Sequence, residues 1–228
     1  FNTRKQLLLK TLYAYIANSS ALDDLDCFSM FGTNSFNLVW EKVCAEVMDN
    51  QLQKPIGGLR LPVPLAEQYR DMRHKKLIDL IDKPQWSGNA PNGESFVKQA
   101  EDTLIPDIVS VVNINGDCQF IIFDAKYYNI QLEPNKKLRG QPGIESITKQ
   151  YLYQLAFQTF LDDHQIGTVR NCFLLPSAGV EIVDKGVASL AMLNSLGLRN
   201  IQVRLLPAEI IYRHYIDSTK FEIQSLCL

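Results

Sequence analysis

Asp107, Asp124 and Lys126 are the residues whose types and spacing could do chemistry together. The Asn115-Gly116 pair between them is the strongest short hairpin signal, favouring a two-residue turn. Closing that turn pairs Ile114 with Asp117. Counting seven positions outward on each strand then sets Asp107 opposite Asp124. Directly opposed residues share one face, with Cβ atoms about 4.5–5.5 Å apart. Two carboxylates that close repel each other. The arrangement makes sense with a divalent cation between them, because hard cations such as Mg²⁺ take oxygen ligands. A bulge in either strand would shift the register. Lys126 lies two positions beyond Asp124, so it projects to the same face.

The run Phe120–Phe123 is apolar on both faces, which fits a strand in the middle of a sheet. Charge at the end of a buried strand needs partners or a task. Spacing alone leaves two readings open: a structural Asp–Lys ion pair, or a metal-binding site. Gln150, Gln154 and Gln158 recur every four residues and form one polar stripe on a helix. That stripe either faces solvent or looks into a polar site, where amides could orient a water or touch a phosphate. Glu41 lies off the apolar stripe of an earlier helix and Glu46 lies at its edge. Either is a solvated helix residue or a further acidic group of the site.

Bulk properties narrow the classes. The chain has 228 residues, which fits one domain with a modest extension. At 46% hydrophobic it can bury a real core, so disorder is excluded as its main state. A net charge of -2 excludes a nucleic-acid binder recognisable from bulk charge, while leaving room for a local basic groove. Arg70, Arg73, His74, Lys75 and Lys76 form the most basic segment, read either as a solvated loop or as a phosphate-contacting patch. Five cysteines without a C-x-x-C pair argue against a disulfide framework or zinc site and for a reducing compartment, the cytoplasm. His74, His164 and His214 are far apart in sequence and do not suggest a metal cluster. No apolar run reaches the roughly 20 residues needed to span a bilayer. The first residue is Phe1, not Met, which suggests a piece of a longer protein.

The elements that must position these residues follow from periodicity. Residues 3–18 read as a helix, and a second helix starts after Asn34 or Ser35 and runs to about Asn50. Its apolar stripe is Phe36, Val39, Trp40, Val43 and Val47. Residues 51–102 are irregular, with a short strand at Leu77–Ile81. Leu104–Ile114 and Cys118–Tyr128 read as the two hairpin strands. Residues 129–143 read as a mobile loop. Ile144–Leu161 is a helix apolar on most of its circumference. Strands are expected at Val169–Leu175, Val180–Val183 and Ile201–Leu206, and short helices at 187–196 and 207–215.

Pro106-Asp107, then Asp124-Ala125-Lys126, then a helix carrying Gln154, resembles the PD-(D/E)xK nuclease superfamily. Four segments together resemble the LlaJI-type restriction endonuclease family. They are Phe36 through Trp40-Glu41, Ile105 through Val109, Phe123 through Tyr127, and Tyr153-Gln154-Leu155-Ala156. They are also similar to McrC-type nuclease subunits of GTP-driven restriction systems. The resemblance implies an α/β fold, a PD-(D/E)xK restriction-endonuclease-like core with a central mixed β-sheet flanked by α-helices. It implies an N-terminal helical extension over 1–33 and a nuclease domain over 34–228.

Carried over, Asp107 and Asp124 would ligate Mg²⁺, for which Mn²⁺ substitutes, with the Ala125 backbone carbonyl as a further ligand. Lys126 would activate the attacking water and stabilise developing charge. Glu41 would help hold the metal, with Glu46 as the fallback. Gln154 would support the site or touch DNA. The implied function is a Mg²⁺-dependent DNA endonuclease subunit of an McrBC-like restriction system. Its partners would be double-stranded DNA, a separate AAA+ GTPase (McrB-like) subunit and a transient homodimer for double-strand cleavage. The motor must be a separate chain, because no G-x-x-x-x-G-K-[S/T] occurs here. Two alternatives stand beside this: a repair or recombination exonuclease of the same superfamily, and an assembly or stimulatory subunit of a nucleotide-driven motor.

Overall fold

The computed structural model describes residues 35–228. The helix expected over 3–18 lies outside the described residues. Helix α1 spans Phe36–Val47, and a hairpin follows with β1 at Gln85–Asn89 and β2 at Ser95–Gln99. Next come β3 (Ile108–Ile114), β4 (Asp117–Ala125), α2 (Ile144–Asp163) and β5 (Thr168–Ser177). The described chain finishes with β6 (Val183–Ala188), β7 (Ile201–Pro207) and α3 (Ala208–Ile216).

The central sheet has five strands in the order β3-β4-β5-β7-β6. Its middle strands β4, β5 and β7 are parallel, and β3 and β6 pair antiparallel at the two edges. The fold is therefore α/β with a mixed sheet flanked by helices. Strand alternation sorts the core into two layers. Ile121, Phe123 and Ala125 pack with Trp40, Val43, Cys44 and Val47 of α1 and Ile211 of α3. Phe120 and Ile122 point the other way, against Tyr153, Phe157 and Phe160 of α2. Both faces of β4 are covered, which is why its sequence is apolar without alternation.

The turn is as its residues demand. Asn115 and Gly116 have φ of 54° and 87°, the two positive values of a type I′ turn. The ladder then runs from Ile114↔Asp117 to Ile108↔Phe123 with no register shift. Strand β3 starts at Ile108 rather than Leu104, because Pro106 has no N–H to give a ladder. In α1 the buried stripe is Trp40, Val43, Cys44 and Val47. The expected member Phe36 is exposed instead and stacks on Tyr127 at 6.0 Å.

Several expected elements differ. Leu77–Leu80 is a 3-10 helix, not a strand. Leu77 and Ile81 are buried while Asp79 between them is exposed and accepts from the Lys76 N–H at 2.9 Å, a helix-start pattern. The β1–β2 hairpin sits in a stretch expected to be irregular; its strands are largely exposed and carry no buried alternating face. The strand expected at Val180–Val183 begins only at Val183. Its residues Asp184, Lys185 and Gly186 have low β-propensity, and Gly186 (φ 103°) sits at a register shift. Val187 and Ala188 belong to that strand, so the short helix expected at 187–196 is confined to Ala191–Leu196.

Two buried polar residues are structural. His164 Nε2 accepts from the Ala66 N–H at 3.1 Å, and its Nδ1 lies 2.7 Å from Phe160 O. Arg204 in β7 donates from Nε to Leu226 O at 2.8 Å and from Nη2 to Cys227 O at 2.9 Å, and pairs with Asp184 at 2.7 Å. It ties the C-terminal segment to the sheet. The four described cysteines, Cys44, Cys118, Cys172 and Cys227, are free.

The turn sets the register, so it is the first element to test. Gly116→Val places a β-branched side chain at φ 87°. A loss of about 1–2 kcal/mol in urea unfolding is expected. An unchanged midpoint would show that the ladder, and not the turn, holds the register.

Candidate active site

The unbroken ladder carries Asp107 and Asp124 to the first position past its end. Asp107 is held from two directions. Its carbonyl accepts from Asn50 Nδ2 at 3.0 Å, and Asn50 Oδ1 in turn accepts from the Val109 N–H at 3.1 Å. Its carboxylate Oδ2 accepts from the Ala125 N–H at 3.1 Å, directly across the hairpin. Asp124 is almost fully buried, at 4% exposure. Burial, then the hydrogen bond and charge of Asp107, push its carboxyl up to about 7, and Lys126 offsets them only in part.

Lys126 Nζ lies 2.5 Å from Asp124 Oδ1 and 3.8 Å from Asp107 Oδ2. Burial pulls its ammonium down, but Asp124, Asp107 and Glu41 outweigh that and hold it above the ordinary lysine value. Its backbone is fixed as well. The Lys126 N–H donates to Leu174 O at 3.0 Å, and the indole N–H of Trp40 donates to the same carbonyl at 3.0 Å. That shared acceptor binds the end of β4, strand β5 and helix α1 at one point, and it sets Glu41 beside the cluster.

Glu41 and Glu46 part company here. Burial and the charge of Asp107 raise the Glu41 carboxyl, with Lys126 opposing them, so Glu41 stands in the field of the cluster. Glu46 is exposed and pairs with Lys220 at 3.0 Å, which lowers its pKa. Among the described residues, no three His, Cys, Asp or Glu side chains gather closely enough to form a metal-holding group. The set that is present is a carboxylate pair with one lysine. Its donors are hard oxygens, and the Asp124 carboxyl is raised first by burial and then by the second carboxylate against it. A divalent ion fits that need, completed by a backbone carbonyl and water.

The glutamine stripe is not uniform. Gln150 and Gln154 are buried under α2, so the solvent-facing reading does not hold for them, while Gln158 bonds Asp162 at 2.8 Å near the surface. Gln154 accepts from Asn171 Nδ2 of β5 at 2.7 Å, and no hydrogen bond joins it to the carboxylates. Gln150 is fully buried, and neither its Nε2 nor its Oε1 has a hydrogen-bond partner among the described residues. Asn171 faces Ile122, and Phe173 faces Asp124, in the β4–β5 ladder. One helical turn back along α2 is about 5.4 Å, close to two strand residues. That step takes Gln154 above Ile122 to Gln150 at the level of Asp124.

Spacing of charged residues did not reveal Tyr153. It is 7% exposed, and burial followed by the charges of Asp107 and Asp124 pushes its hydroxyl up to about 12. The one sequence signal for it is its place beside Gln154. Directly after Lys126, residues Tyr127–Asn129 line a cleft of about 500 Å³ with Pro176–Ala178, Leu205 and Ala208. The cleft lies at the C-terminal ends of β5 and β7.

The sequence profile of the LlaJI restriction endonuclease family matches residues 1–62 and 68–202. The chain belongs to the LlaJI restriction endonuclease family. Every residue of the carboxylate–lysine cluster, with Glu41, Gln150 and Gln154, lies inside the matched segments. The chain is also 30% identical over 198 residues to the Type II restriction enzyme BsuMI component YdjA of Bacillus subtilis (strain 168). That similarity covers 87% of this chain and 36% of the relative, so the chain spans about a third of that relative's length. No solved structure matches.

Two stability measurements test this geometry. The raised Asp124 carboxyl stays protonated in the fold at pH values where the unfolded chain has ionised it. Metal-free protein should therefore lose stability as pH rises from about 4 to about 7. Asp124→Asn should remove that loss, melting several degrees above the parent at pH 8 in EDTA and close to it at pH 4; an unchanged difference across pH would refute the buried pair. Gln150→Met removes two unpaired buried groups and should gain about 1–3 kcal/mol in urea unfolding. A lower midpoint would mean the amide is satisfied.

Proposed function

We propose that this chain is a Mg²⁺-dependent endonuclease domain of the PD-(D/E)xK type, which hydrolyses phosphodiester bonds of foreign DNA within a restriction system. The observation that carries the reading is the pair Asp107 and Asp124, forced together by an unbroken hairpin register with Lys126 against both. Membership of a restriction endonuclease family supports it.

Asp107 and Asp124 would hold the ion, with the Ala125 carbonyl and, through water, Glu41. A bound Mg²⁺ or Mn²⁺ neutralises phosphoryl charge and lowers the pKa of a coordinated water. The chain's own residues do the rest. The Ala125 N–H and the Asn50 amide keep Asp107 in place. Lys126 brings a cation to the side where negative charge grows, beside the buried Asp124. Gln150 supplies an amide donor and acceptor to a water or phosphoryl oxygen at the level of Asp124. Gln154 braces α2 against β5 through Asn171.

The wider system follows from resemblance and from size. This chain matches only 36% of a relative named as one component of a restriction enzyme. We assign it a separate AAA+ GTPase partner, double-stranded DNA as substrate, and transient pairing of two copies for double-strand cuts. We take residues 34–228 as the nuclease domain and the cytoplasm as its site of action. Among the described residues, no helix is long and apolar enough to cross a membrane.

Nicking of supercoiled plasmid in Mn²⁺ tests the reading. The parent should nick; Asp107→Ala and Asp124→Ala should lose both nicking and Mn²⁺ binding by calorimetry. Lys126→Ala should bind Mn²⁺ yet cut about 10²–10³ more slowly. Nicking by Asp124→Ala at the parental rate would end the proposal.

A further inference from the structure

The densest unneutralised positive charge among the described residues lies away from the acid cluster, where residues 52–57 run antiparallel to 73–78. The Ile56 N–H donates to Lys75 O at 2.9 Å, the Gly57 N–H to Arg73 O at 3.0 Å and the Leu77 N–H to Lys54 O at 3.0 Å. Pro55 pairs with Lys76 across this short ladder. Lys54 is thereby brought beside Arg73, Lys75 and Lys76, from which it is distant in sequence. The approach is close enough that a Cβ on Gly57 would stand 3.0 Å from Arg73 Cβ. Buried Ile56 and Leu77 anchor the two segments in the core.

All four cations are exposed, and none forms an ion pair with a described residue. Some lysines and arginines elsewhere carry ion pairs, as Lys136 does with Glu133, Lys149 with Glu145, Arg213 with Glu209 and Lys220 with Glu46, and others do not; these four differ in being held side by side by a backbone ladder. Asp79 is a neighbouring acid and accepts from the Lys76 backbone N–H, not from an ammonium, so the four adjacent cations repel one another. Backbone hydrogen bonds nevertheless lock them together.

Their position relative to the cluster is fixed by the segment just before them. Asn50 bonds the Asp107 carbonyl, and the Gln51 N–H donates to Val109 O at 2.7 Å along the outer edge of β3. Lys54 follows four residues after Asn50, so it starts within about 14 Å of that contact. This is about four base-pair steps of one DNA strand. The core under this segment is also the layer that contains Tyr153 and Phe157, toward which Asp124 points by strand alternation.

We propose that Lys54, Arg73, Lys75 and Lys76 form a platform that binds the phosphates of a DNA duplex beside the bond to be cut. Naming DNA as the polyanion rests on the nuclease reading. The platform contacts backbone, not base edges, so it adds affinity and register without sequence preference. Each phosphate it neutralises releases counterions, so binding weakens steeply with salt.

The test uses the full-length protein carrying Asp124→Ala and a fluorescein-labelled duplex of about 30 base pairs, long enough for several phosphate contacts. Binding is measured by anisotropy across a range of KCl in EDTA. Adding Lys54→Gln, Arg73→Gln, Lys75→Gln and Lys76→Gln should weaken binding by about tenfold or more. It should also flatten the slope of log affinity against log salt by up to about 3.6, at 0.9 per phosphate. The loss should be equal on unrelated sequences, with the melting temperature unchanged. The single substitution Lys75→Glu should move affinity and slope the same way. Unchanged affinity and slope overturn the platform, as does DNA affinity retained while binding to the GTPase subunit is lost, which would assign the cations to an acidic protein surface. Parent protein that never nicks in Mn²⁺, but whose duplex binding falls with these substitutions, keeps the platform and removes the nuclease reading. Cleavage that depends on Asp124, with binding indifferent to the four cations, does the reverse.

Discussion

Two carboxylates held against each other at the mouth of a hairpin are the constraint around which this domain is arranged. Left alone, Asp107 and Asp124 would push the strand ends apart. They stay together because the ladder below them is unbroken and because the Ala125 N–H bonds Asp107 across the gap. Burial, with that repulsion added to it, raises the Asp124 carboxyl to about 7, and a lysine is drawn in to 2.5 Å. A buried ion pair of this kind is weak evidence for stability, since desolvation offsets most of the Coulomb attraction. Its meaning lies in the positive charge that the pair demands. In this structure Lys126 meets that demand in part, and a hard divalent ion would meet it better.

The neighbouring layers converge on the same point. Leu174 O accepts from both the Trp40 indole and the Lys126 N–H, so helix α1, strand β5 and the end of β4 share one acceptor. This brings Glu41 into the field of Asp107 while leaving Glu46, little more than a turn further along the same helix, at the surface with Lys220. On the opposite face, α2 places polar residues where a core helix would ordinarily carry apolar ones. Gln154 is matched by Asn171, whereas Gln150 is not matched at all. Unpaired buried polar groups cost stability. A domain that keeps one at the level of Asp124, the one buried carboxylate among the described residues, carries that cost at the place where a ligand could remove it.

Much of this was legible from residues. Asn-Gly strongly favours the type I′ turn seen at Asn115-Gly116, and a two-residue turn leaves only one register, so the opposition of Asp107 and Asp124 could be counted out from it. The doubly buried character of β4 showed in its unbroken apolar run. The β1–β2 hairpin did not show, because its strands face solvent and have no apolar alternation to reveal them. The 3-10 helix at Leu77–Leu80 read as a strand because four residues cannot separate a period of two from one near three. Edge strand β6 was displaced because Asp184, Lys185 and Gly186 are held there by Arg204 and by β7, not by their own propensity.

The sequence by itself determined the pairs whose geometry is local: the turn, the register it sets, and the shared face of Asp124 and Lys126. Each depends on a strand period of two or on one dipeptide, and neither needs knowledge of the rest of the chain. Tertiary structure alone decided which of Glu41 and Glu46 faces the cluster, that Tyr153 lies in its field, and that Gln150 rather than Gln154 keeps a free amide. It also decided that Lys54 joins a basic segment about twenty residues away in sequence. These outcomes depend on how helices rotate and loops pack against a shared sheet. That is set by the summed burial of many side chains, and no spacing within a single element encodes it.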